Sequence, residues 1–112
     1  MIRINLNNYF RIFVLEGDDL RQITFSAFDR FSPTIFMCVV GNEDHILQVT
    51  DKELRLIPMV SGGEDAECSS VWRPPSLIGI SRTVANGKQI VVGSGCDLFY
   101  LIVDGHELKI LR

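Results

Sequence analysis

Along most of the chain, apolar and polar residues alternate in short runs. HILQVTDKELRLIP, residues 45–58, shows the pattern: Leu47 and Val49 alternate with Gln48 and Thr50, Leu54 and Leu56 flank Arg55, and Thr50-Asp51-Lys52 parts the runs. A period of two broken by turn residues predicts a β-hairpin with one face buried and one face wet. The same reading predicts strands at Phe10–Leu15, Leu20–Thr24, Thr34–Val40, His45–Thr50 and Glu53–Pro58, then at Ser70–Arg73, Leu77–Val84, Lys88–Gly93, Asp97–Val103 and His106–Leu111. Turn chemistry falls between them at Glu16-Gly17-Asp18, Gly41-Asn42, Ser61-Gly62-Gly63, Asn86-Gly87 and Asp104-Gly105. Residues 1–8, MIRINLNN, are not read as a strand. No segment holds a 3.6-residue apolar period with a cap and a stop, so the predicted class is all-β.

The runs also repeat. Moved by about 43 residues, TIFMCVVGNEDHILQV (34–49) lies over LIGISRTVANGKQIVV (77–92), with Ile35 on Ile78, Leu47 on Ile90 and Val49 on Val92. Moved by about twice that, LEGDDLRQ (15–22) lies over VDGHELKI (103–110), with Gly17 on Gly105. Four short strands per unit at this period predict β-propeller blades of the WD40-like kind. The chain then reads as a propeller fragment of about two and a half four-stranded antiparallel blades. Residues 1–32 supply the last two strands of one blade, 33–75 a second and 76–112 a third. A blade cannot bury its faces alone, and open sheet edges invite pairing. The reading therefore expects the remaining blades of a larger protein, or self-association.

Composition changes this picture little. The chain has 112 residues, 46% hydrophobic and 22% charged, with a formal net charge of −3. That charge, with its scattered Lys and Arg, gives no nucleic-acid signal. No run of about 18 apolar residues suggests a membrane helix, and the N-terminus lacks the apolar core of a secretory signal. Cys38, Cys68 and Cys96 are an odd number without CxxC spacing. They read as reduced thiols, which predicts cytoplasm or nucleus.

Candidate chemistry is sparse. His45 and His106 each start a strand after a turn, with no Cys or His at ligand spacing, so no zinc site is predicted. A thiol enzyme using Cys96 or Cys38 with a distant histidine is the alternative from another class. GSGCDL (93–98) has the glycines of a phosphate loop but is followed by the strand-like LFYLIV, not a helix. Glu43-Asp44, Asp18-Asp19 and Glu64-Asp65 read as solvated turn charges. Trp72, before Arg73-Pro74-Pro75, reads as the end of an outer strand packed between blades; the other reading is a partner anchor. No catalytic, metal or cofactor-binding residue is assigned, no cofactor is predicted, and no partner-contact residue is named.

Several motifs, in order, carry a resemblance. They are ILQVTDKELRLI (46–57), Trp72-Arg73-Pro74-Pro75, NGKQIVVGSG (86–95) and LFYL (98–101), preceded by Phe28, Thr34 and Phe36. Together they resemble the family of the large propeller subunit of the damaged-DNA-binding complex, over roughly residues 10–111. That family also holds the largest cleavage-and-polyadenylation specificity factor subunit and the scaffold of a spliceosomal branch-site complex. The resemblance implies a non-catalytic scaffold matching early blades of a second propeller. It implies partners too: a cullin and propeller-type substrate receptors, in DNA repair and protein ubiquitination. The related alternative is a scaffold for splicing or for mRNA cleavage and polyadenylation.

Overall fold

The computed structural model describes residues 2–6, 9–23, 27–59, 67–75 and 77–111. Among these residues the chain forms eleven strands in three antiparallel sheets. The first sheet holds β1 (Ile2–Leu6), β2 (Tyr9–Glu16) and β3 (Asp19–Ile23). The second holds β4 (Thr34–Val40), β5 (His45–Thr50), β6 (Leu54–Pro58) and β7 (Ser70–Trp72). The third holds β8 (Ile80–Asn86), β9 (Gln89–Ser94), β10 (Asp97–Asp104) and β11 (Glu107–Ile110). Each sheet runs in sequence order as a meander; the two- to four-residue turns leave most neighbouring strands no other route, and within a sheet only β6 and β7 are joined by a longer link.

Three sequence expectations are corrected here. Residues 2–6 are a strand, paired with β2 from Ile2↔Phe13 to Leu6↔Tyr9, so the first sheet has three strands and not two. The signal was present: Ile2, Ile4 and Leu6 alternate with Arg3 and Asn5, and only two residues separate Leu6 from Tyr9. Leu77 and Ile78, expected to open a strand, instead form the link into β8 and are exposed. Gly79 is required there, since a Cβ would lie 2.7 Å from the Asp51 carbonyl oxygen that accepts the Ile80 amide. Finally, the 45–58 hairpin has no wet face along β5, where every residue from His45 to Thr50 is buried. The link at 27–32 folds over the side carrying Gln48 and Thr50.

Two apolar clusters follow from the two faces of the second sheet. On one face Ala27, Phe28, Met37, Ile46 and Ile57 pack together. On the other, Val40, Leu47, Val49, Leu54 and Leu56 meet Ile80, Ile90, Val92, Leu101 and Val103 of the third sheet. The sheets face each other with like strands opposed, β4 near β8 and β7 near β11. Trp72 of β7 reaches across to Phe99 of β10, ring centroids 5.3 Å apart.

Candidate functional site

Polar groups tie these layers together at three places. The first is Gln48, fully buried on β5. Its Nε2 donates to the Asp29 carbonyl (2.9 Å) and to Thr34 Oγ1 (2.8 Å), and its Oε1 accepts the Asp29 amide (2.9 Å). An amide side chain suits this post because it donates and accepts at once. Asp29 in turn accepts the amides of Phe31 and Ser32, which shapes the link. Thr50 Oγ1, two residues along, accepts the Lys52 and Glu53 amides and closes the hairpin turn.

The second is a buried carboxylate. Glu53 takes Arg55 at 2.8 Å and Arg73 at 3.2 Å, while Arg55 Nε donates to the Ala27 carbonyl. Burying Glu53 is tolerable because both its oxygens are paired. A shallow depression of about 460 Å³ opens beside this group, lined by Phe28, Asp29, Arg30, Phe31 and Arg55.

The third place joins residues that sequence reasoning kept apart. His45 Nε2 lies 2.9 Å from His106 Nδ1, across 61 positions of chain, and His45 Nδ1 lies 2.8 Å from Asp44 Oδ1. His45 is buried and His106 exposed. Both histidines sit where a strand turns, and the packing of the second sheet on the third brings those turns to the same rim. The seam is also crossed by Gly41 N–H to the Gly87 carbonyl (2.8 Å) and by Leu108 N–H to Ser70 Oγ (3.0 Å).

Charges at this rim are shifted by contact. The His45 hydrogen bond holds the Asp44 carboxyl below its ordinary value of 3.8. Lys109, 2.7 Å from Asp104, lowers that carboxyl in the same way and has its own ammonium raised above 10.5. A lowered carboxyl stabilises the fold above its unfolded value and loses that contribution as pH falls through the lowered one; a raised ammonium loses its contribution as pH rises through the raised one. Urea unfolding across pH is expected to show these contributions intact from about pH 5 to 9 and declining below about pH 4. In Asp104→Asn that acid decline should be shallower than in the wild type.

The remaining candidates lie elsewhere. Cys96 is exposed in the β9–β10 turn, at the rim opposite the histidines. Cys68 Sγ donates to the carbonyls of Leu56 (3.3 Å) and Ser70 (3.1 Å). GSGCDL forms a hairpin: Ser94 Oγ donates to the Ile78 (2.8 Å) and Gly79 (3.2 Å) carbonyls, and β10 follows. Asp18, Asp19 and the Glu43-Asp44 pair are exposed, and Glu64-Asp65 lies outside the described residues. Among the described residues, no three of His, Cys, Asp and Glu group as a metal site.

Four-stranded antiparallel meanders packed face to face define the class of the β-propeller. The model of the RSE1/DDB1/CPSF1 second beta-propeller matches residues 7–112, and the chain belongs to that family. DNA damage-binding protein 1 of Drosophila melanogaster is 30% identical over 99 residues, which is 88% of this chain and 8% of that relative. The chain thus spans a small part of the length of the relative it matches.

Proposed function

We propose that the chain is a segment of a non-catalytic scaffold that links a cullin-RING ubiquitin ligase to propeller-type substrate receptors, acting in nucleus and cytoplasm in DNA repair and protein ubiquitination. The supporting observation is the 30% identity to DNA damage-binding protein 1 across 88% of the chain, together with the family match over 7–112. The geometry agrees with a scaffold. Gln48, Thr50, Arg55 and Trp72, which carry the resemblance, are all engaged inside the fold, so the surface is free to vary with its partners. We assign residues 1–32, 33–75 and 76–112 to successive blades.

The family also contains RSE1 and CPSF1, which keeps a role in splicing or mRNA cleavage and polyadenylation as the second reading. Affinity capture of the native protein, with cross-linking and partner identification, separates the two. A cullin cross-linked to this segment supports the proposal; splicing or polyadenylation factors overturn it. Labelling of Cys96 or Cys38 by a thiol probe well below pH 8.5 would overturn the non-catalytic part, because ordinary thiols are protonated there.

A further inference from the structure

We propose that Asp44, His45 and His106 form an acid-sensitive latch across the seam between the second and third sheets. The latch stays closed while the two imidazoles share one proton between His45 Nε2 and His106 Nδ1. It opens when acid gives each of those nitrogens its own.

The hydrogen-bond inventory sets the logic. A carboxylate only accepts, so Asp44 Oδ1 at 2.8 Å fixes a hydrogen on His45 Nδ1. In the neutral ring His45 Nε2 is then a bare lone pair, and the hydrogen in the 2.9 Å contact belongs to His106 Nδ1. A first proton from solvent adds to Nε2 of the exposed His106. That leaves the Nδ1–H donor in place and makes it charge-assisted. A second proton has only His45 Nε2 to occupy, inside the seam. Two N–H groups then face each other, two cations adjoin, and the single charge of Asp44 offsets one of them.

The backbone is shaped to hold Asp44 in this position. Gly41 has φ 74°, and a Cβ there would run into the Asp44 carboxylate. Glu43 has φ 64°, a left-handed conformation unusual for a side chain of its kind. Asn42 N–H donates to the same Oδ1 at 3.2 Å, and Met59 N–H donates to the Asp44 carbonyl. The titratable and charged groups on the elements meeting here are Glu43 and Asp44 on the β4–β5 turn and Lys88 on the β8–β9 turn. The β10–β11 hairpin brings Asp104, His106, Glu107 and Lys109, and the segment before β7 brings Glu67 and Cys68. Of the ion pairs these make among the described residues, Asp104–Lys109 is closed on itself at 2.7 Å, and Asp44 is the described anion bonded to the histidine pair.

The test uses the two cross-seam amides as reporters. Exchange at Gly41 and Leu108 is compared with Thr50, whose amide donates to the Glu53 carbonyl within the second sheet. Taking the pH from 8 to below about 6, where imidazoles ordinarily take up protons, is expected to raise the Gly41 and Leu108 rates about tenfold relative to Thr50. With only two histidines in the chain, ring-nitrogen NMR of histidine-labelled protein should show His45 Nε2 bare and His106 Nδ1 protonated at pH 8. His106→Phe should raise the basal exchange and abolish its pH response. If that variant misfolds, Asp44→Asn, at an exposed position, should shift the opening to lower pH, because the carboxylate that offsets the His45 cation is gone. A constant ratio to Thr50 across the range, or a hydrogen on His45 Nε2 at pH 8, overturns the latch.

Discussion

Replacing Gln48 with leucine is expected to destabilise the fold by about 2–4 kcal/mol although the residue touches no surface. Leucine fills most of the space and gains apolar burial. It strands the Asp29 amide, the Asp29 carbonyl and Thr34 Oγ1 in a site that Gln48 served with three hydrogen bonds. An unsatisfied buried polar group costs about 1–3 kcal/mol, and part of the Asp29 backbone can turn to water, so the sum falls short of three full penalties. Thr34→Val, which removes one partner only, should cost about 1 kcal/mol. Urea unfolding followed through Trp72, the single tryptophan, reads both variants. A Gln48→Leu loss no larger than that of Thr34→Val would mean that the link at 27–32 is not held by this side chain.

The second large effect concerns the outward face of the third sheet. In the second sheet Val49 pairs with Leu54 and Leu47 with Leu56; 44 residues on, Gly93 pairs with Leu98 and Val91 with Tyr100. The positions correspond, but their surroundings do not. Leu54 and Leu56 are 0% exposed beneath the third sheet, whereas Leu98 is 61% and Tyr100 42% exposed. Val84, opposite Val91, is exposed beside them. This face has the chemistry of one that another sheet covers. The isolated chain is therefore expected to self-associate at micromolar concentration, and a Leu98→Lys, Tyr100→Lys double variant to be monomeric. Withdrawing two large apolar side chains from such a contact removes about 3 kcal/mol, or roughly two orders of magnitude in affinity. Sedimentation velocity across a concentration series checks it; a wild-type chain that stays monomeric and melts cooperatively would count against an incomplete stack of sheets.

The sheet correspondence also refines the repeat. An offset of 43 laid Leu47 over Ile90, but strand pairing puts Ile90 at the place of Ile46, an offset of 44. Leu47 and Ile90 belong to one cluster, on the facing sides of two sheets. Neighbouring sheets meet through alternate residues, so a shift of one position exchanges equivalent residues for contacting ones.

The alternation by itself determined the strands from Phe10 onward to within a few residues, the turns at residues 16–18, 41–42, 86–87 and 104–105 and the all-β class, while the expected turn at Ser61-Gly62-Gly63 lies outside the described residues. These are local: a period of two and a Gly or Asn at a turn act within one hairpin. Spacing added the repeat, and motif order added the family. Only the tertiary structure decided which polar residues were buried. Gln48 and Thr50 read as a wet face until a link more than fifteen residues upstream covered them. Only the fold set His45 against His106, because that contact depends on how two sheets pack and no local pattern encodes it. Burial of a polar side chain is settled by what the rest of the chain lays over it, and alternation cannot report that.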